Sequence, residues 1–395
     1  MEETVAQSQM QNTDHKDPAS STRSVARACE ILKCFTPGGH NLGLDEISVK
    51  CQLSKPTALR LLRTLVQCGM LEILSKNSYG SAIPYSLRKK YRIGYAAQSD
   101  EFAFSRLVSD SIRSSAYEAG VELLVLNNRY SPKVALRNAE IFVRERVDLV
   151  VEFQTNQQSA ASVASKLIEA GIPIIAIEIP HPGASYYGAN NYRAGLIGGH
   201  ALARACTQQW GGKFDEMVFL ELAMAGPLIQ TRLTGMLAGV RELLGKVPDQ
   251  SVRFLNGNGR FESSLDKMRR YLRQTNAKRI LVGTVNDPSC LGALRAFEES
   301  GIASHCLAVG QNASIEARRE MRRPESRLVG SVGFFPEAYG EAIISLALNK
   351  LQGKEIPPAT FTRHQLVTAE NVDQLYPNDK LISAGDSDSL LYSHR

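Results

Sequence analysis

The sequence lacks any long hydrophobic run. No apolar stretch approaches the roughly 20 residues that a membrane-spanning helix needs. Residues 1–21 are polar, without the basic start and apolar core of a signal peptide. We therefore expect no membrane partner and a cytoplasmic location. The same residues are rich in Gln, Ser, Asn and Asp, which predicts a disordered tail over 1–21.

The residues that usually build metal and catalytic sites are dispersed. The seven cysteines never form a Cys-x-x-Cys pair, and none of the seven histidines forms His-x-x-x-His. We therefore expect reduced core thiols and no metal or other cofactor. Neither a Gly-x-Ser-x-Gly elbow nor a Walker loop occurs. No catalytic residues can be named, and the sequence does not indicate an enzyme.

Positive charge, in contrast, is concentrated in one place. The chain of 395 residues carries a net charge of +6, yet the segment from Thr22 to Arg92 has twelve Lys and Arg against four Asp and Glu. All of the excess positive charge therefore lies in this segment. Such clustering is typical of a phosphate-binding module, although a solvated basic face would show the same composition.

A short amphipathic helix is predicted at the centre of the basic segment. Ser54 can cap its N-terminus through the hydroxyl, and Pro56 falls in the first turn, where proline is tolerated. One face is apolar at helical spacing, with Leu59, Leu62, Leu65 and Val66. The opposite face carries Lys55, Thr57, Arg60, Arg63 and Thr64. This face suits the major groove of DNA, and an ordinary basic surface helix is the alternative.

Further elements on both sides of this helix complete a compact domain. One face of a predicted helix over 24–35 carries Val25, Ala28, Ile31, Leu32 and Phe35. Residues 43–51 form a second short helix, and 70–74 and 79–83 form a hairpin after the Ser54 helix. Two short helices with a tight turn, followed by a hairpin, indicate a winged helix-turn-helix over 22–83. A basic linker is predicted over 84–91.

Residues 22–74 resemble the DNA-binding domain of the isocitrate-lyase-regulator (IclR) type of bacterial transcription factors. The matching motifs are Ser24-Val25-x-Arg27-Ala28, Leu44-x-Glu46-Ile47, Leu53-Ser54-Lys55-Pro56-Thr57 and Gly69-Met70-Leu71-Glu72. The resemblance implies that double-stranded operator DNA is a partner. The residues it implies as DNA contacts are Ser54, Lys55, Thr57, Ala58, Arg60 and Arg63.

From Tyr91 onwards, apolar strands alternate with amphipathic helices. Examples are the strands 121–126, 147–152 and 172–177, with helices between them. This alternation predicts an α/β fold with a parallel sheet covered on both faces. The pattern repeats from residue 217 to 310, which predicts two lobes with a cleft between them. In such sheets, ligands bind at the carboxyl ends of the strands.

This second region, about 91–375, resembles the type I periplasmic-binding-protein fold of ribose- and galactose-type sugar-binding proteins and lac-repressor-like effector domains. The matching motifs include Ala170-Gly171-Ile172-Pro173-Ile174, Thr231-Arg232-Leu233-Thr234-Gly235 and Asn286-Asp287-x-x-x-Leu291-Gly292. The ligand-binding positions implied are Asp100, Phe102, Phe104, Glu178, Arg232, Phe261, Asn286, Asp287, Asn312 and Phe334. For Glu178 a helix-cap or salt-bridge role is the alternative, and for the four phenylalanines a core position. Glu101 is the alternative to Asp100 at the polar position before Phe102.

The sequence departs from the sugar-binding pattern at three of these positions. Ile179 follows Glu178 where ribose binders place an arginine, Asn312 replaces a common aspartate, and Phe334 replaces a frequent glutamine. We therefore expect a pocket with fewer charges and more aromatic surface than a ribose pocket.

Together these patterns predict a DNA-binding transcriptional regulator with a small polar effector, such as a sugar or sugar derivative. The effector domain is expected over 92–375, with a C-terminal tail over 376–395. Partners would be an operator, a small-molecule effector and a second copy in a homodimer or larger homo-oligomer. The alternative is a carbohydrate sensor or solute-binding protein that does not bind DNA.

Overall fold

The computed structural model describes residues 19–35, 41–75, 77–81 and 91–379. The chain divides into two compact units. The smaller contains residues up to Lys90 and the short piece Glu118–Gly120, and the larger contains the rest. The predicted linker 84–91 lies outside the described residues except for Tyr91. The predicted tail 1–21 is outside them up to residue 18, and residues 19–21 already belong to a helix.

The smaller unit is a winged helix-turn-helix. Its described elements, in chain order, are α1 (Ala19–Lys33), β1 (Leu42–Gly43), α2 (Leu44–Lys50), α3 (Lys55–Gln67), β2 (Leu71–Ser75) and β3 (Ser78–Ser81). The three strands form an antiparallel sheet in the order β1-β3-β2. Ile31, Ile47, Leu62 and Leu71 are buried in one small core, which joins all three helices to the wing.

Two details of the smaller unit differ from the sequence-based expectation. The core face of α3 is formed by Ala58, Leu61, Leu62 and Leu65, while Leu59 is only half-buried. Val25 was expected on the buried face of α1 but is 63% exposed, because the first turns of this helix extend beyond the core.

The larger unit contains two α/β lobes, which we name the N-lobe and the C-lobe. The N-lobe sheet is parallel throughout, in the order β14-β8-β7-β6-β4-β5. Its strands are β4 (Arg92–Ala97), β5 (Glu122–Asn127), β6 (Leu149–Glu152), β7 (Ile174–Ile177), β8 (Ser185–Gly188) and β14 (Ala359–Phe361). Its helices are α4 (Ala103–Glu118), α5 (Pro132–Arg144), α6 (Gln157–Glu169) and α12 (Tyr339–Leu351).

The C-lobe sheet has the order β10-β9-β11-β12-β13-β15, parallel except for β15. Its strands are β9 (Glu216–Glu221), β10 (Val252–Asn256), β11 (Ile280–Thr284), β12 (Cys306–Asn312), β13 (Leu328–Gly333) and β15 (Gln365–Val367). Its helices are α7 (Asn191–Trp210), α8 (Pro227–Leu244), α9 (Phe261–Leu272), α10 (Asp287–Glu299), α11 (Ile315–Met321) and α13 (Val372–Leu375). The expected two-lobed α/β architecture is confirmed.

The chain passes between the lobes at three places, which together form a hinge. The crossings lie after Gly188, after Gly333 and after Phe361, where one sheet ends and the chain enters the other lobe. Thr362 at the third crossing is hydrogen-bonded to the other two crossings. Its amide donates to the Gly188 carbonyl (2.9 Å), and its hydroxyl donates to the Phe334 carbonyl (2.8 Å).

Helices α7 and α8 approach each other at backbone contact. Each has two glycines four residues apart on the facing sides, Gly195 and Gly199 on α7 and Gly235 and Gly239 on α8. A Cβ atom at Gly195 would lie 2.0 Å from the Arg232 carbonyl oxygen. Larger residues at these positions would separate the helices, so the glycines help to set where Arg232 emerges near the cleft.

The C-terminal segment and the cysteines also differ from expectation. Of the predicted tail 376–395, residues 376–379 pack against the C-lobe, because the buried Asp379 pairs with Arg318 (2.7 Å) and Arg322 (2.9 Å). Residues 380–395 lie outside the described residues. Cys206, Cys290 and Cys306 are buried as expected, whereas Cys29 and Cys68 are exposed. Among the described residues no helix is long and apolar enough to cross a membrane.

Candidate functional site: a basic helix face and an interlobe cleft

The exposed face of α3 carries most of the residues expected to contact DNA. Lys55, Arg60 and Arg63 are all exposed, and Thr57 is half-buried beside them. Proline in the first turn starts the helix, as predicted. The Ser54 hydroxyl does not cap a backbone amide but bonds to the Thr57 hydroxyl at 2.9 Å.

The positive groups of this face differ in whether they form ion pairs. The Lys55 ammonium lies 2.8 Å from the Asp45 carboxylate of α2. Arg60 and Arg63 form no ion pair with any described residue. Ala58 is fully buried in the core of the unit, so the expectation that its side chain touches DNA is wrong. The face therefore presents two free guanidinium groups to a phosphate or base.

The larger unit contains a cavity of about 90 Å³ where the two lobes face each other. Eight of the twelve residues that line it lie at or just after strand ends of the two sheets, as expected for a parallel α/β fold. The twelve are Gln98, Phe104, Phe153, Thr155, Glu178, Ile179, Leu222, Ala225, Ile229, Arg232, Val285 and Asn312. Small-molecule sites occur preferentially at such places, where the carboxyl ends of parallel strands meet.

A buried ion pair between the lobes forms one side of the cavity. Arg232 of α8 donates from Nη2 to Glu178 Oε2 at 2.9 Å, and both residues are 6% exposed. Arg232 also donates from Nε to Asn191 Oδ1 (2.5 Å) and from Nη1 to the Val285 carbonyl (2.9 Å). Each guanidinium nitrogen thus has a protein acceptor.

Glu178 connects this pair to the hinge. Its Oε1 accepts hydrogen bonds from the Ala189 amide (3.1 Å) and the Tyr339 hydroxyl (2.6 Å), which lie at the first and second crossings. Burial and the nearby Glu178 carboxylate raise the pKa of Tyr339 well above its usual value, so this hydroxyl stays a donor. Glu178 has a φ of +61°, and Asn312 across the cavity has +99°. Both are uncommon for non-glycine residues, and such backbone strain tends to occur at functional sites.

A second interlobe contact closes the rim of the cleft. Arg260, just before α9 in the C-lobe, pairs with Glu101 of the N-lobe at 3.2 Å. Its guanidinium also lies 5.4 Å from the ring centre of Phe102 and 5.2 Å from that of Tyr130. This rim cluster of Glu101, Phe102, Tyr130 and Arg260 holds the lobes together by charge and cation–π contacts.

Four of the ten positions expected to bind ligand line the cavity: Phe104, Glu178, Arg232 and Asn312. Glu178 also has the salt-bridge role that was its alternative. Phe102 instead belongs to the rim cluster, and Asp100 is an exposed residue whose carboxylate accepts from Asn127 at 2.6 Å. Phe261 lines a surface groove between α9, α10 and α11.

The remaining three expected positions have structural roles. Asp287 is fully buried and accepts from the Ser331 hydroxyl and the Ser314 amide, both at 2.6 Å, so its predicted contact with a ligand is wrong. Burial raises its pKa to about 7. Asn286 caps α10 by accepting from the Ser289 amide. Phe334 is a fully buried core residue whose ring lies 4.8 Å under the Arg232 guanidinium.

Six of the eight cavity residues that the motifs missed share one signal. Gln98 follows β4, Phe153 and Thr155 follow β6, Ile179 follows β7, Leu222 follows β9 and Val285 follows β11. The strand-end rule alone would have selected these positions. Ala225 precedes α8 and Ile229 lies in its first turn, and neither carries this signal. Among the described residues, no group of His, Cys, Asp and Glu could hold a metal ion.

This geometry defines a two-lobed ligand-binding domain on a chain that also carries a winged helix-turn-helix. Residues 93–355, well over half of the chain, match the family model of the periplasmic binding protein domain, so the chain belongs to that family. Residues 24–73 match the IclR helix-turn-helix domain. A comparison with curated proteins finds no match.

Solved structures with the same fold include several solute-binding proteins. One from Actinobacillus succinogenes 130z with bound D-allose has a TM-score of 0.62 and 18% identity, covering 72% of this chain and 100% of that one. A Mycobacterium smegmatis structure in complex with β-D-fucofuranose has a TM-score of 0.64 and 20% identity, covering 74% and 96%. One from Bacillus halodurans C-125 with bound myo-inositol has a TM-score of 0.63 and 19% identity, covering 73% and 98%.

Proposed function

We propose that the protein is a sequence-specific transcriptional regulator controlled by a small, uncharged, sugar-like effector. The observation that carries this proposal is the presence, on one chain, of a winged helix-turn-helix with free arginines and a two-lobed domain with an interlobe cavity. The proposal needs no catalytic residue and no cofactor. It places the protein in the cytoplasm, where DNA is accessible.

The DNA-binding part is supported by the chemistry of α3. Arg60 and Arg63 point away from the core of the unit, and Lys55 and Thr57 share their face. Guanidinium groups bind phosphates and guanine edges with paired hydrogen bonds. Two copies of the unit would read two half-sites about one DNA turn, roughly 34–36 Å, apart, so we propose a homodimer.

The effector part is supported by the position of the cavity between the lobes. A ligand that contacts both lobes favours their closed arrangement by its differential affinity for the two states. The solved structures of this fold with D-allose, β-D-fucofuranose and myo-inositol make a sugar or cyclic polyol the best-supported class of effector. Closure of the lobes would then alter the dimer and the spacing of its two α3 helices.

Selection of bound DNA tests the regulator proposal. The purified full-length protein is incubated with fragmented genomic DNA from its source organism, and the bound fragments are sequenced. The proposal predicts enrichment of a few sites with a shared inverted repeat. A folded protein that enriches no sequence would contradict it and favour the alternative of a sensor that does not bind DNA.

The exposed arginines of α3 provide a matched control. The double variant Arg60→Ala/Arg63→Ala should lose the enrichment. The slope of the logarithm of the DNA-binding constant against the logarithm of the salt concentration should become shallower by about one unit for each lost phosphate contact. The control variant Arg137→Ala/Arg204→Ala removes the same charge from exposed positions of the larger unit. Equal loss in both variants would show that only net charge matters, and would refute a specific α3 interface.

A further inference from the structure

The walls of the interlobe cavity are mostly apolar. Phe104 and Phe153 line it from the N-lobe side. The C-lobe side is one buried apolar cluster, to which Ile179, Leu222, Ala225, Ile229 and Val285 belong. Apolar side chains therefore face the ligand space from both lobes. A ligand that fills this space loses water from its own surface on two sides, which is favourable only where that surface is apolar.

The charges at the cavity are already neutralised within the protein. Glu178 and Arg232 are the two charged lining residues, and they form a pair at 2.9 Å. Glu178 accepts two further hydrogen bonds, and each nitrogen of Arg232 has its own acceptor. A phosphate or carboxylate on the ligand would have to break this pair or remain buried without a counter-charge, and either is costly.

The uncharged polar groups offer few free hydrogen bonds. The carboxamide of Gln98 donates to the Thr155 hydroxyl and accepts from the Ser105 hydroxyl. Asn312 is the one polar lining residue whose side chain has no hydrogen bond to a described residue. A ligand with hydroxyls all around its ring would therefore leave some of them buried without a partner, at a cost for each one.

We infer that the cleft is selective for a neutral monosaccharide that lacks one or more hydroxyls, a deoxy sugar. Its apolar edge would lie on the aromatic and aliphatic walls, and its remaining hydroxyls would meet Asn312, Thr155 and the two spare N–H groups of Arg232. The inference rests on the proposed function, because it specifies the effector of the same site.

Calorimetric titration with matched sugars tests the inference. The purified full-length protein is titrated with D-fucose against D-galactose, L-rhamnose against L-mannose, and 2-deoxy-D-ribose against D-ribose. Galactose 6-phosphate and galacturonate serve as charged probes. We expect at least one deoxy sugar to bind at least about tenfold tighter than its hydroxylated parent, since one unsatisfied hydroxyl costs about that factor in affinity. We expect neither charged probe to bind.

A substitution in the cavity wall tests whether the apolar wall causes the preference for a deoxy sugar. Ile229→Thr adds a hydroxyl to the wall, and it should reduce the preference for the deoxy sugar by severalfold. Ile168→Thr makes the same exchange at a half-exposed position on α6, outside the cavity, and should leave the preference unchanged. An unchanged preference in Ile229→Thr would contradict the role of the apolar wall.

The outcomes separate this inference from the proposed function. If every parent sugar that binds does so as tightly as its deoxy form, or if a charged probe binds, the inference is wrong but a sugar effector stands. If no sugar of the panel binds while DNA selection succeeds, the inference and the sugar effector both fail, and DNA binding stands. If DNA selection fails while a deoxy sugar binds selectively, the inference stands and the regulator proposal fails.

Discussion

Replacement of Arg232 by methionine would test whether the buried ion pair holds the lobes together. Methionine has a similar length and no charge, so Arg232→Met removes the guanidinium and leaves the volume largely filled. Glu178 would then be 6% exposed without its counter-charge, and Asn191 and the Val285 carbonyl would each lose a donor.

The expected loss of stability follows from the contacts that remain. Removal of one partner of a buried pair usually costs about 3–5 kcal/mol. Glu178 keeps the Ala189 amide and the Tyr339 hydroxyl as donors, so we expect the lower end, about 3 kcal/mol. Adding Glu178→Gln removes the orphaned charge, and the double variant should recover about 1 kcal/mol or more relative to Arg232→Met.

The single tryptophan allows unfolding of the C-lobe to be followed by fluorescence. Trp210 is the only tryptophan of the chain and lies at the end of α7 in the C-lobe. Urea unfolding followed by its fluorescence therefore reports on the C-lobe, into which Arg232 is built. A loss below about 1 kcal/mol in Arg232→Met, or a double variant less stable than the single one, would show that the buried ion pair does not stabilise the C-lobe.

Three further perturbations follow from the geometry. A Cβ atom at Gly199 would lie 2.2 Å from a carbonyl oxygen of α8, whereas a Cβ atom at Gly198 would have its nearest neighbour 3.4 Å away. Gly199→Ala should therefore lower the free energy of unfolding in urea by about 1–3 kcal/mol, and Gly198→Ala should leave it unchanged. Burial raises the pKa of Glu152 to about 8 from its ordinary 4.5. The protonated carboxyl therefore contributes its full stability below pH 4.5, and this contribution is lost as the pH rises through 8. Glu152→Gln should flatten the decline of the urea midpoint between pH 5 and 8, and an unchanged slope would contradict the assignment. Arg260→Ala removes the rim contacts and should increase the radius of gyration of the unliganded protein in X-ray scattering. The control Arg269→Ala, whose ion pairs lie within the C-lobe, should leave the radius of gyration unchanged. Equal values for both variants would argue against the rim cluster as a contact that holds the lobes closed.

The fold could be predicted largely from periodicity. Alternating apolar strands and amphipathic helices define a parallel sheet, and the turn before Ser54 separates two short helices with their own apolar faces. These signals are local, and the structure contains the elements they predict. The first turns of α1 were the exception, because Val25 has helical spacing but none of the described elements covers it.

The cavity could be predicted only in part, because side-chain direction depends on tertiary packing. Arg232 and Glu178 were found through motifs, yet their mutual pairing across the lobes does not appear in the sequence. Asp287 follows a strand end like a ligand residue, but α11 and β13 supply Ser314 and Ser331 as its partners. Polar residues at strand ends thus bind either a ligand or the next element, and only the packed structure separates the two.

Fluorescence anisotropy of a selected operator fragment with the full-length protein, with and without each sugar of the matched panel, measures whether the cavity controls DNA binding. We expect tight binding that weakens steeply with salt and shifts on addition of one neutral sugar but not of its phosphorylated or acidic counterparts. Binding to the operator that no member of the panel shifts would contradict the claim that a sugar in the interlobe cavity controls the DNA-binding unit.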